Sequence, residues 1–201
     1  AVAGLSLTAT AQQLKSPNGQ LNMEFSLDEQ GRPTYSLQYK GRDVIRPSKL
    51  GLELKQEDPT KAQDFEFKTR ADASKLAQKA NLTSGFKIAA TQTATFDETW
   101  TPVWGEESSI RNHYNELCVS LSQPMNERSI NIRFRLYDDG LGFRYIFPEH
   151  LGSIDIREEL TEFRFAREDH KIWWMPRSEP YYEAYAEHSS FDEITEAYTP
   201  V

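Results

Sequence analysis

The chain has 201 residues and a formal net charge of −8, from 31 acidic and 23 basic side chains. That balance argues against a phosphate-binding surface and against a polybasic membrane contact. No uninterrupted apolar run approaches the roughly 18 residues of a membrane-spanning helix, and a chain this long can bury roughly 70% of its unfolded surface without a disulfide or structural metal.

The opening AVAGLSLTATAQQ supports two readings. Residues 1–11 read as a signal-peptide remnant ending in the small-residue pattern Ala9-Thr10-Ala11, which carries an expectation of periplasmic or secreted location. They read equally as an ordinary first strand. From there the period is two. Leu21, Met23, Phe25 and Leu27 alternate with polar partners, DEQGRP turns the chain, and Tyr35, Leu37 and Tyr39 follow before a second turn at KGRD. Phe65 with Phe67, and Phe86 with Ile88, mark further short strands, as do Phe163 and Phe165. The alanine- and lysine-rich stretch Ala71 to Gly85 predicts a surface helix. In LCVSLS, Cys118, the one cysteine of the chain, alternates with Leu117, Val119 and Leu121 and reads as a passive strand residue. The clearest hairpin is SINIRFRLYDDGLGFRYIFP. There Ile130, Ile132, Phe134 and Leu136 face the core, Asp138-Asp139-Gly140 supplies the turn, its Asp-Gly pair tolerating positive φ, and Leu141, Phe143, Tyr145 and Phe147 return. The sum is an all-β, antiparallel sandwich over residues 12–201.

Chemistry concentrates in FDETWTPVWGEESSIRNHYNEL, Phe96 to Leu117. Trp and Tyr faces stack on sugar rings, while carboxylates and Arg hydrogen-bond hydroxyls, so Trp104, Glu106, Arg111 and His113 are substrate-facing candidates on a long loop. The competing reading is a loop pinned to the sandwich by Trp100 and Trp104, its charges paired among themselves. His113, His150, His170 and His188 lack metal-ligand spacing. No nucleophile elbow and no phosphate-cradling glycine loop occurs. The sequence assigns no catalytic residue.

The stretches VWGEESSIRNHYNEL, NIRFRLYDDGLGFRYIFP and the closing WWMP…YYEAYAE…TPV resemble the N-terminal region of glycoside hydrolase family 97. The opening LKSPNGQLNMEFSLDEQGRPTYSLQYKGRDVIRPSKLGLEL resembles the start of that region. These are bacterial α-glucosidases and α-galactosidases of the starch-utilisation type, abundant in gut Bacteroidetes. The resemblance implies a super-β-sandwich of the galactose-mutarotase-like kind, packed on a C-terminal (β/α)8 barrel that holds the catalytic carboxylates and acts on α-linked oligosaccharides. It also implies an active-site Ca²⁺ bound by a glutamate that follows an aromatic between the WW-x-P segment and T-P. Glu183, after Tyr182, fits that motif, with Glu179 and Glu187 as alternatives if the register slips. Trp173 and Trp174 join the substrate-facing candidates. Tyr198, Pro200 and Val201 read like a strand about to continue, so the chain is expected to be one part of a longer enzyme, inactive alone and binding calcium weakly or not at all. The alternative function is a stand-alone carbohydrate-binding β-sandwich using Trp100, Trp104, Trp173 and Trp174 as stacking platforms. Neither reading involves nucleic acid or a membrane.

Overall fold

A computed structural model describes residues 11–55, 81–125, 128–148, 154–167, 171–177, 185–194 and 196. They fall in two compact units, Ala1–Arg164 and Phe165–Val201.

In the first unit the alternating segments form two antiparallel meanders. One runs β1 (Gln12–Lys15), β2 (Leu21–Leu27), β3 (Pro33–Tyr39) and β4 (Arg42–Lys49), in that spatial order. The second places β7 (Lys87–Trp100), β8 (Ile110–Gln123), β9 (Arg128–Leu136) and β10 (Leu141–Ile146) side by side. A three-stranded sheet, β11 (Ile156–Glu159), β5 (Leu52–Leu54) and β6 (Asn81–Leu82), completes the unit with β5 in the middle.

A strand sends successive side chains to opposite faces, so the period of two becomes a buried face. Leu21, Met23 and Phe25 of β2 and Tyr35 and Leu37 of β3 are buried, as are Ile130, Ile132, Phe134 and Leu136 of β9. The two faces meet in one cluster: the Phe25 and Phe134 rings lie 5.7 Å apart and those of Tyr35 and Phe143 5.6 Å apart. Leu50, Leu52, Leu54, Leu82 and Phe86 belong to the same core. Each such side chain, fully buried, contributes roughly 1.5–3 kcal/mol. The architecture is therefore the all-β antiparallel sandwich that the alternation predicts.

Turn chemistry fixes the register. Asp28 Oδ1 accepts from the backbone N–H groups of Gln30 and Arg32, both at 2.9 Å, closing the β2–β3 connection. Lys40 and Gly41 both take positive φ, 50° and 74°, as a two-residue hairpin turn matched to strand twist requires.

Asp138-Asp139-Gly140 turns the chain as expected, closed by Tyr137 N–H donating to Gly140 O at 2.8 Å, without using the positive φ that its Asp-Gly pair tolerates. Three expectations need correction. Phe163 and Phe165 do not mark a strand, since Phe163 is irregular and Phe165 makes one isolated bridge. Backbone and side-chain bonds alternate there: Glu162 N donates to Lys49 O at 2.9 Å and Arg46 N to Arg164 O at 2.7 Å, while Lys49 N donates to Glu162 Oε2 at 3.0 Å and Arg164 N to Ser48 Oγ at 2.9 Å. The predicted helix ends wrongly, because Asn81–Leu82 pairs with β5 as a strand and Gly85 follows in a turn at φ 74°. The third concerns Phe96 to Leu117, which is no loop but mostly paired strand, as described below. Residues 71–80, Phe65 and Phe67, and residues 1–10 of the cleavage-like pattern lie outside the described residues.

The second unit contains a two-stranded ladder, β12 (Lys171–Trp174) against β13 (Glu187–Ser190). A 3-10 turn over Phe191–Glu193 follows, and Glu193 Oε2 accepts from Ser190 N–H at 3.0 Å. Phe191 stacks on Phe165 at 5.3 Å. No helix among the described residues is long and apolar enough to cross a membrane.

Candidate functional site

β7 and β8 pair along their whole length, from Lys87 opposite Ser122 to Trp100 opposite Ile110. β9 accompanies β8 only from Asn115 to Gln123. Phe96–Trp100 and Ile110–Tyr114 therefore run on as a two-stranded ribbon past the end of the four-stranded sheet. Threonines at 91, 93, 95 and 99 suit an extended, twisted backbone without needing burial on either side. Residues 101–109 connect the arms, with Gly105 at φ 141°.

The ribbon has two chemically different faces. On one, Asp97 lies opposite His113 and Thr99 opposite Arg111, which sets Arg111 diagonal to Asp97 and within reach. Arg111 Nε donates to Asp97 Oδ1 at 2.8 Å and Nη2 to Oδ2 at 2.7 Å, while His113 Nε2 stands 3.9 Å from Oδ2. The paired guanidinium hydrogen bonds hold the Asp97 carboxyl below the ordinary carboxylate range against a small desolvation, and the charges of Arg111 and His113 add to the lowering. Thr95 Oγ1 donates to Asn115 Oδ1 at 2.8 Å, continuing the polar row. This face offers hydroxyl, amide, carboxylate and imidazole groups, the set that hydrogen-bonds sugar hydroxyls.

The other face is aromatic. Phe96 stacks on Tyr114 at 5.3 Å, Tyr114 meets Tyr137 at 5.1 Å, and the Arg135 guanidinium covers the Tyr114 ring at 4.5 Å. Tyr114 is thus buried at 6% exposure although it points away from the core. Trp100 and Ile110, farther along the ribbon, are exposed.

The sequence candidates separate accordingly. Arg111 and His113 converge on Asp97. Trp104, 88% exposed, and Glu106, also exposed, sit in the connecting tip, so the two tryptophans do not pin this segment to the sandwich. Trp173 and Trp174 belong to the second unit. Trp173 is 63% exposed and stacks on His188 at 4.7 Å. Trp174 is a correction: it is 4% exposed, with its indole N–H donated to Ser189 Oγ at 3.0 Å, so its faces are not open to a sugar. Alternation along β12 predicts that one of the two neighbours turns inward, but not which one. Tyr114, Arg135 and Tyr137 were missed as a group; their shared outward phase was the available signal. Glu183 and Glu179 lie outside the described residues, and Glu187 is exposed at the start of β13. Among the described residues no three His, Cys, Asp or Glu side chains gather to hold a metal ion.

Comparison with known proteins bears on what this arrangement belongs to. A family model described as glycosyl-hydrolase 97 N-terminal matches residues 14–201. A retaining α-galactosidase of Bacteroides thetaiotaomicron is 26% identical over 143 residues, which are 71% of this chain and 17% of that enzyme. The structure of a family 97 glycoside hydrolase variant from Pseudoalteromonas sp. strain K8, solved with panose, superposes with a TM-score of 0.75 at 28% identity and covers 94% of this chain and 26% of that one. A β-arabinopyranosidase shares the fold, with a TM-score of 0.69 at 20% identity over 89% of this chain and 26% of that one. The chain thus spans about a quarter of the solved structures it matches and less of the α-galactosidase. It belongs to glycosyl-hydrolase family 97, as the N-terminal domain of that family.

Proposed function

We propose that the chain is the non-catalytic N-terminal domain of a calcium-dependent, exo-acting α-glycosidase, an α-glucosidase or α-galactosidase, and that it packs on a catalytic (β/α)8 barrel. The observation that carries this is the family match over residues 14–201, set against enzymes about four times as long. Hydrolysis of α-linked oligosaccharides by a pair of carboxylates belongs on this reading to the barrel. The ribbon bearing Trp104, Glu106, Arg111 and His113 supplies polar and aromatic groups to the rim of the substrate site. The small-residue pattern at Ala9 to Ala11 favours a periplasmic or secreted enzyme.

Calcium takes about 6–8 oxygen ligands, and the described residues assemble no such set. The ion is therefore to be held mainly by the barrel, with Glu183 contributing one carboxylate from the second unit. In the full-length enzyme, Glu183→Gln keeps the side-chain shape and removes the charge. Activity should fall and be partly restored by added calcium, while Glu187→Gln should change little. An unchanged rate and calcium dependence in Glu183→Gln would remove Glu183 from the site. Assay of the 201-residue chain on aryl α-glucosides and α-galactosides should give no turnover above buffer; genuine turnover would refute the non-catalytic assignment. The exposed faces of Trp104 and Trp173 also suit a stand-alone carbohydrate-binding module. That reading requires the gene to stop near Val201 and loses Trp174, which is buried.

A further inference from the structure

The outward face of the β7–β10 sheet carries positive charge that the described residues do not balance. Because alternate residues of β9 fill the core, Arg133, Arg135 and Tyr137 point the other way. In the β9–β10 register Arg133 lies opposite Arg144, and Arg135 lies opposite Gly142. Like charges directly across a ladder are destabilising unless a counter-charge stands among them. Among the described residues Glu116 is the counter-charge, bound to Arg135 Nε at 2.8 Å and 3.5 Å from Arg133 Nε. The second contact is not a hydrogen bond, and Arg133 Nε is buried without one. Arg144 is exposed, and its side chain has no hydrogen bond or ion pair with any described residue. Two guanidinium groups thus share one carboxylate, and a third, that of Arg144, has none among the described residues, in a chain whose net charge is −8. Gly142 has no side chain to fill the space opposite Arg135. A hollow of about 210 Å³ results, bounded by Arg133, Arg135, Arg144 and Tyr137.

We infer that this hollow is a socket for a carboxylate side chain carried by the remainder of the enzyme, making the outward face of the β7–β10 sheet a domain interface. The inference rests on the reading of the chain as one domain of a larger glycosidase. Two features select a protein carboxylate over a soluble acid. The hollow is shallow on a broad sheet face and gives a free acid few walls, whereas an apposed surface brings its carboxylate already oriented and supplies the missing wall. The chain also accounts for only about a quarter of the enzymes it matches, so most of the surface available to meet this face lies elsewhere in the same protein. Arg144 has its full planar fork available for bidentate capture, and the adjoining Tyr114 and Phe96 rings form an apolar border.

The test uses the full-length enzyme with Arg144→Lys. A lysine amine within ion-pair distance of a carboxylate is joined to it as an amide by a water-soluble carbodiimide; the native guanidinium is not. Mass spectrometry of the digested, treated enzyme should find the peptide containing position 144 coupled to an Asp or Glu beyond residue 201. That product should be absent from the wild type. Coupling only to Glu116 or another carboxylate of residues 1–201, or no coupling at all, overturns the socket. A gene that encodes no catalytic region beyond residue 201 overturns the underlying domain reading instead, so the two failures are distinguishable.

Discussion

Gly31 lies against Phe86 so closely that a Cβ built on it would stand 2.7 Å from the Phe86 carbonyl oxygen and 2.8 Å from its nitrogen. The contact is made by two hydrogen bonds, Phe86 N–H to Gly31 O at 3.0 Å and Gly85 N–H to Gln30 O at 2.9 Å. They tie the β2–β3 turn to the entry of β7, and so link the two meanders. Gly31 also has φ 68°, a conformation that costs a residue with a Cβ roughly 1–2 kcal/mol. Gly31→Ala must bear that cost and push backbone away as well. It should lower stability in urea by about 2–4 kcal/mol. Gly19→Ala and Gly41→Ala share the positive φ but meet nothing within 4 Å, so they should lose only about 1–2 kcal/mol. Equal losses at all three positions would show that the Phe86 contact yields freely.

Phe134 has no exposed surface and touches both Phe25 and Phe143, at ring distances of 5.7 and 5.8 Å. Phe134→Ala should cost about 3–5 kcal/mol in equilibrium unfolding. Phe143 is only partly buried at the edge of the same cluster, so Phe143→Ala should cost clearly less, about 1–3 kcal/mol. A loss under about 1 kcal/mol for Phe134→Ala would place the β9 alternation in the wrong phase.

That alternation is where the sequence was most informative. Leu21 to Leu27 and Ile130 to Leu136 each bury one face, and a one-residue slip would have exposed the whole set. The ribbon was harder to read, because Phe96 to Tyr114 contributes no residue to the core and its Trp, Gly and Pro residues resemble a loop. Its length emerges only when β8 is seen to outrun β9. The charged cluster was half legible: Arg111 and His113 were singled out, but the bidentate hold on Asp97 depends on a diagonal register that no local pattern specifies. Trp174 shows the same limit. Neighbouring tryptophans on a strand must face opposite ways, and only the pairing of Trp174 with Glu187 and its bond to Ser189 decide which is covered.

The hold of Arg111 on Asp97 has a measurable acid-side signature. A carboxyl whose folded pKa is depressed contributes stability above its unfolded value of about 3.9 and loses it as pH falls through the folded pKa. Asp97 is depressed, mainly by the two hydrogen bonds from Arg111. Carboxyl NMR titration of the wild type should therefore show Asp97 titrating below the ordinary aspartate range, and Arg111→Ala should return it there. At neutral pH the same variant should unfold at nearly the wild-type temperature, because an exposed ion pair adds little. Asp97 titrating alike in both proteins would mean that the paired geometry does not persist in solution.

Tyr35 sets the alkaline limit. Its ring is 1% exposed, and its hydroxyl donates to the Glu162 backbone carbonyl at 2.9 Å. Burial, reinforced by the nearby Tyr145 and Glu162, pushes its pKa up to about 12. An unfolded tyrosine ionises near 10. The folded state therefore resists an ionisation that the unfolded state accepts. The stability tied to this group is whole below pH of about 10 and is lost as pH rises towards about 12. A difference of about two pH units sets the loss at roughly 2–3 kcal/mol. Urea midpoints of the wild type should be flat in the neutral range and fall steeply above pH of about 10. Tyr35→Phe cannot ionise. It should start lower at neutral pH by about 1 kcal/mol, for the lost hydrogen bond, and then show a shallower alkaline decline. Tyr145, whose pKa is also raised by burial against opposing hydrogen bonds from Thr161 and Gly51, contributes the slope that persists. An alkaline decline of equal steepness in both proteins would move the limit from Tyr35 to another group, and would mean that the Tyr35 hydroxyl reaches solvent before the sandwich opens.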